Sequence, residues 1–287
     1  MSGQRTVITA VTTPFQPDGD LDLAAARQLY RFAGQHTGQL LVGGTTGEFP
    51  ALTIDERMSL LDAALEVAGA EGVIAHVGTA DAHNAAQLTR ASVRAGARRL
   101  AALTPYYLPA TPEELHAYFG AVRDAAGDAE IFAYLFPERT GLEVSPELCA
   151  ELAAAHGLAG VKLSGAASRR VREHVAAAPE GFEVYSGNDR ELGGVLAAGG
   201  EGTVSGCSAA LPEPFLELAE AIRTGRDTGE VQQRVDRVVA ALGPSIGRIK
   251  CAQRLRGLPA GESRMTVADP DAETESLIKD LVAENAR

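Results

Sequence analysis

A closed parallel (β/α)8 barrel, a TIM barrel with a C-terminal helical extension, is the α/β fold that three features of the sequence predict. Short apolar, β-branched runs alternate with amphipathic helical segments eight times in roughly 200 residues, the rhythm of such a barrel. Each run is apolar throughout rather than at every second residue, as strands buried on both faces require. The first run leads into TTPFQPDGD, which lacks the GxGxxG turn that a doubly wound nucleotide-binding sheet places after its first strand.

In order, the predicted strands are VITAVT (7–12), QLLVGG (39–44), GVIAHVG (72–78), RRLAAL (98–103), EIFAYLF (130–136), AGVKLS (159–164), FEVYSG (182–187) and GTVSG (202–206). Helices are predicted between them. Thr53 and Glu56 form a capping box that opens a helix towards Val67. The next helices run from Asp81 to Ala95 and from Thr111 to Ala126, the second with Pro112 in its first turn and two acids beside its N-terminal dipole. Ser145–His156, Ser168–Ala178 and Asn188–Ala198 continue the alternation, and helical patterns at 213–224, 229–242, 246–257 and 272–284 follow the last strand. The expected organisation is a barrel over 1–210 and a helical extension over 211–287, packed on it as one structural unit.

Composition narrows the class. The 287 residues are 45% hydrophobic and 22% charged, with a formal net charge of −12, so nucleic acid and anionic membrane are poor partners. No basic-then-apolar leader opens the chain, and no apolar run nears the roughly 18 residues of a membrane span, so a cytoplasmic location is expected. Cys149, Cys207 and Cys251 are widely spaced, without a CxxC, and no histidine pair has metal-ligand spacing, so no metal site is expected. All six histidines read as structural or surface residues.

Catalytic groups of such barrels sit at the C-terminal ends of strands and in the loops beyond them, and the unusual residues fall there. Gly43-Gly44-Thr45-Thr46-Gly47-Glu48 follows strand two, and Thr104-Pro105-Tyr106-Tyr107 follows strand four. Tyr134 lies on strand five, before Pro137-Glu138-Arg139-Thr140-Gly141; Lys162 lies on strand six, and strand eight ends at Val204-Ser205-Gly206. Of 26 basic residues only Lys162, Lys250 and Lys279 are lysines. Lysine, unlike arginine, can give up its proton and act as an amine nucleophile. Strand parity turns Val161 and Leu163 towards the helices and Lys162 towards the lumen, and puts Phe132, Tyr134 and Phe136 on one face. Lys250 and Lys279 fall in late helical patterns and are expected to be exposed. Each motif alone has a plainer reading. GGTTGE can be a structural turn, Glu48 can brace its own loop, the tyrosines can be packing and Arg139 a surface charge.

As an ordered set, GTTGE, TPYY, Y-x-x-P-x-R-T-G, G-V-K and the S-G-N-D turn resemble the dihydrodipicolinate synthase / N-acetylneuraminate lyase superfamily of pyruvate-dependent class I aldolases. The similarity runs from Thr13-Pro14-Phe15 to GLPAGESR (257–264). The resemblance implies that Lys162 forms a Schiff base with pyruvate and that Tyr134 shuttles protons on the carbinolamine and substrate hydroxyl. It implies that Thr45 and Thr46 bind the pyruvate carboxylate, with Thr45 in a proton relay completed by Tyr107 of a neighbouring subunit, hence a homo-oligomer, a dimer or a tetramer. Arg139 would meet the second substrate's carboxylate, Val204 would offer its carbonyl near the Schiff base, and Gly187 of the S-G-N-D turn would line the substrate site. No cofactor or metal is implied beyond the lysine imine; the partners are pyruvate and an aldehyde, or their aldol product.

Three loops depart from the synthase pattern: Phe49-Pro50 after GTTGE, Leu108-Pro109-Ala110 after TPYY, and Leu135-Phe136 after Tyr134. On that ground the expected substrate is a 2-keto-3-deoxy sugar acid or another pyruvate-derived aldol. The alternative is a dihydrodipicolinate synthase that condenses pyruvate with aspartate semialdehyde, which Arg139 favours. A non-catalytic keto-acid-binding barrel is the alternative of another class, and a phosphate-binding metabolic barrel a third.

Overall fold

The computed structural model describes residues 6–285. Eight parallel strands close into a barrel in the order of the chain. They are β1 (Val7–Ala10), β2 (Leu40–Val42), β3 (Val73–His76), β4 (Arg99–Leu103), β5 (Glu130–Leu135), β6 (Gly160–Leu163), β7 (Glu183–Ser186) and β8 (Gly202–Ser205). Between them lie α1 (Leu23–Thr37), α2 (Ile54–Ala68), α3 (Ala82–Arg94), α4 (Pro112–Ala126), α5 (Pro137–Thr140), α6 (Pro146–His156), α7 (Val171–Ala177) and α8 (Leu192–Ala197). The extension consists of α9 (Glu213–Thr224), α10 (Gly229–Leu242), α11 (Ile246–Leu255) and α12 (Ala272–Asn285). The predicted capping box at Thr53 forms, and the Thr111 helix has one as well: the Thr53 and Thr111 hydroxyls accept from the amides of Glu56 and Glu114, whose carboxylates reach back. Two helices escape the sequence reading, α1 and the single turn α5. The Asp22 carboxylate caps α1 by accepting from the Ala25 amide at 2.8 Å.

The chain divides into two compact units, one of Val73–Val204 with Thr6, the other of Val7–Gly72 and the chain from Ser205 onward. In the first, β4 to β7 set two layers of side chains. At the N-terminal ends of the strands Arg99, 2% exposed, reaches Glu130 at 3.1 Å and Glu183 at 3.3 Å, with its guanidinium 4.8 Å from the Phe132 ring centre. Tyr185 donates to Glu183 at 2.7 Å, and its burial raises the phenol's pKa, so it stays a donor. Gly160 makes this layer possible, since a Cβ there would lie 2.4 Å from the Glu183 carbonyl and 2.7 Å from the Phe132 ring. Towards the other end the register aligns Leu103, Tyr134 and Lys162 side by side.

In the second unit, β1 is tied to the extension by buried polar contacts. The Thr12 hydroxyl donates to Gln253 at 2.9 Å, Gln253 donates to the Ala209 carbonyl at 2.9 Å, and Thr9 meets Ser208 at 2.9 Å. Here the structure corrects one expectation. Lys250 is 1% exposed, and its ammonium is 2.7 Å from the carboxylate of Glu48, itself fully buried. Every residue from Ile249 to Gln253 is buried, so α11 has no free face at this point to present its lysine to water. Glu48 does more than brace its own loop, because it also accepts from the Arg264 and Met265 amides at 2.9 and 2.8 Å. Lys279 is exposed, as expected.

The histidines are mostly packing or surface groups. His174 is buried on α7, and that burial pushes its pKa down to about 4, which keeps it neutral near pH 7. His116 and His156 meet at 3.1 Å between α4 and α6. Among the described residues no helix is long and apolar enough to cross a membrane.

Candidate active site

Lys162 lies on β6, 8% exposed, and its neighbour in register on β5 is Tyr134, 1% exposed. Paired positions of adjacent strands share a face of the sheet, and the side chains accordingly meet: the Lys162 nitrogen lies 4.1 Å from the centre of the Tyr134 ring. An amine and a phenol are thus held together at the ends of two rigid strands. Ser164, Val161 and Leu163 around Lys162 are buried as well, so nothing in the strand carries it out to bulk water.

His76, at the end of β3, packs edge-on against the same phenol ring, with centroids 6.1 Å apart and planes at 78°. Sequence reading passes it over as a structural histidine; its place in an apolar strand gave no sign of what it faces. Gly78 supplies the room, for a Cβ there would lie 3.0 Å from the His76 Nε2. Phe136 packs against Tyr134 on a further side, with centroids 6.2 Å apart and planes 28° from parallel. The strand ends at Leu135, one residue short of the predicted run, and Phe136 caps the turn α5 instead. Pro137 at the start of that turn and Gly141 in the left-handed conformation after it, φ 67°, fit its ends.

Arg139 projects from α5 with its guanidinium carbon 5.7 Å from the centre of the Phe136 ring. Its neighbour Glu138 turns elsewhere and accepts from the Ala166 amide at 2.7 Å, which joins the loops after β5 and β6. Gly187 lies in the loop after β7, donates to the Leu163 carbonyl at 2.6 Å, and leaves no space for a side chain: a Cβ would sit 2.3 Å from the Ser164 hydroxyl. Val204 is buried near the end of β8. Tyr107 is 92% exposed, with φ 81°, and Leu108 beside it is 70% exposed. Thr45 and Thr46 are half-buried in the loop after β2, where the Glu48 amide donates to the Thr45 carbonyl at 3.1 Å. Lys162 and Tyr134 are therefore in direct contact, with Arg139 linked to Tyr134 through Phe136.

An amine beside a phenol at the C-terminal ends of barrel strands is equipment suited to imine chemistry. Comparison with known proteins identifies the family. Residues 4–284 match the dihydrodipicolinate synthetase family. The chain belongs to that family. It is similar to the 4-hydroxy-tetrahydrodipicolinate synthase of Salinibacter ruber, 39% identical over 78% of this chain and 76% of the relative. The synthase of an Exiguobacterium species is 34% identical over 95% of this chain and 94% of its own. Among solved structures, a prophage protein of the same family from E. coli K12, in complex with pyruvate, superposes with a TM-score of 0.89 at 25% identity, covering 98% of each chain. The family's enzymes are class I aldolases and lyases that use no cofactor beyond a lysine–pyruvate Schiff base, and the chain is a pyruvate-dependent aldolase of this kind. That sets the non-catalytic binding barrel aside.

Proposed function

We propose that the chain is a 4-hydroxy-tetrahydrodipicolinate synthase in which Lys162 is the Schiff-base lysine. The observation that carries this reading is the buried Lys162 amine lying 4.1 Å from the centre of the Tyr134 ring. The free amine adds to the pyruvate ketone, water leaves, and an iminium forms whose positive charge acidifies the methyl carbon, so that a base can remove a proton there as the C–H electron pair moves into the iminium. The resulting enamine attacks the aldehyde carbon of aspartate semialdehyde, forming one C–C bond, and the new alkoxide takes up a proton. Tyr134 is the group placed to supply and recover protons in these steps. In the same reading Thr45 and Thr46 hold the pyruvate carboxylate, Val204 and Gly187 line the pyruvate side, and Arg139 receives the second carboxylate. The names of the relatives support the synthase over the sugar-acid aldolase that the altered loops suggest. What favours the sugar-acid reading is the set of Phe49-Pro50, Leu108-Pro109 and Leu135-Phe136.

The test is chemical. Incubation with pyruvate and borohydride, followed by peptide mapping, is expected to place one reduced pyruvyl adduct on the peptide that holds Lys162. An adduct on Lys250 or Lys279, or none, would overturn the assignment.

We also propose that the enzyme works as a homo-oligomer to which Tyr107 contributes across an interface. An exposed Tyr107–Leu108 pair presents more apolar surface than a solvated loop tip needs. Co-expressed Lys162→Ala and Tyr107→Phe subunits should regain part of the activity that each lacks alone. Full activity in a species that sediments as a monomer is the contrary result.

A further inference from the structure

We propose that Phe136 is the specificity-determining residue of the aldehyde half of the site, acting as the platform that aims Arg139 and as an apolar wall beside Tyr134. The proposal rests on the pyruvate aldolase reading above. It predicts a short aldehyde acid as the acceptor, rather than a polyhydroxylated sugar aldehyde.

The phenyl ring of Phe136 touches the active-site phenol on one side, 6.2 Å between centroids, and carries the Arg139 guanidinium on another, 5.7 Å from its centre. It is half-buried, so part of it remains available to a substrate. Arg139 is exposed and forms no salt bridge with a described residue, because the nearest acid in sequence, Glu138, is committed to the Ala166 amide. The arginine is thus an unneutralised cation whose position is set by an aromatic face, a favourable arrangement for a guanidinium. A carboxylate matches its planar fork. The wall between that cation and the phenol is a hydrocarbon ring with neither donor nor acceptor. Sugar hydroxyls laid against it would give up water for nothing in return, whereas the methylene of a short aldehyde acid would not. Apolar walls reject extra hydroxyls only moderately, by about 10²-fold, which bounds the preference this wall gives the wild-type enzyme.

The experiment compares aspartate semialdehyde with D-glyceraldehyde as acceptors, with pyruvate saturating. In Phe136→Val the kcat/KM ratio of semialdehyde to glyceraldehyde is expected to fall about tenfold, mainly through the KM of the semialdehyde, as loss of a cation–π support would give. Phe136→Tyr, which keeps the aromatic face under Arg139, should restore the semialdehyde KM. In an Arg139→Ala background Phe136→Val should scarcely change the semialdehyde KM further, because the platform then has nothing to hold. The borohydride-trapped adduct at Lys162 reports that each variant is folded. An unchanged ratio in Phe136→Val, or the same loss with and without Arg139, overturns the proposal. A wild-type enzyme that forms the adduct yet prefers glyceraldehyde overturns it together with the synthase reading.

Discussion

Tyr134→Phe is expected to lower kcat about 10²–10⁴-fold, the usual cost of losing a positioned acid–base group, while the pyruvate adduct on Lys162 still forms. The substitution deletes one oxygen and keeps the ring. Lys162 at 4.1 Å, His76 at 6.1 Å and Phe136 at 6.2 Å would all retain the surface they pack on. The ring packing therefore survives the substitution. At about 1.4 kcal/mol per tenfold the expected penalty is roughly 3–6 kcal/mol of transition-state stabilisation. Two readouts separate this from mere disturbance of the lysine. Borohydride trapping measures whether the amine still reaches the ketone, and steady-state turnover measures whether protons still move. Normal trapping with kcat within about threefold of wild type would remove Tyr134 from the mechanism, and lost trapping would make it a positioning residue for Lys162 rather than a proton carrier.

The barrel was legible because a parallel strand buried on both faces writes itself as a continuous apolar run, and each of the eight runs holds an observed strand. Lys162 and Tyr134 stood out for the converse reason, as polar groups inside such runs. Parity turns Lys162 to the lumen and puts Tyr134 on one face with Phe132 and Phe136, but it does not make Lys162 and Tyr134 neighbours, which depends on the stagger of β5 against β6. His76 and Phe136 stayed hidden because each looks like ordinary strand packing until the ring it touches is known. The turn α5 is too short for periodicity to reveal. Lys250 was misread for a different reason. A buried helix has no polar stripe, and the acid that neutralises this lysine lies 202 residues earlier in the chain. No local pattern encodes a partner at that separation.

That pair makes the second large expectation. Glu48→Gln or Lys250→Met alone is expected to destabilise the protein by about 3–5 kcal/mol, because each leaves the opposite charge buried and uncompensated. The pair is almost wholly removed from water, at 0% and 1% exposure of the two side chains. Burial already depresses the Lys250 pKa, with Glu48 acting against that shift. In Glu48→Gln the ammonium loses its countercharge and keeps only dipoles, the new amide oxygen and the Glu262 carbonyl at 2.5 Å, with the face of Phe15, 5.2 Å from its centre. In Lys250→Met the carboxylate keeps the Arg264 and Met265 amides, which are dipoles rather than a countercharge. The double variant Glu48→Gln/Lys250→Met removes both charges and retains an acceptor for those amides, so it should recover most of the loss. Denaturant midpoints of the four proteins give the coupling energy directly. Single variants within about 1 kcal/mol of wild type, or a double variant equal to the sum of the singles, would show that the pair does not behave as a unit. The same set reports on function. Glu48, held at φ 57°, is the last residue of the turn that presents Thr45 and Thr46. If the two threonines bind the pyruvate carboxylate, the single variants should raise the KM for pyruvate, and the double variant should bring it back towards wild type along with the stability. A KM that stays high in a restabilised double variant would mean that the charges themselves, and not the anchoring of the turn, serve pyruvate binding.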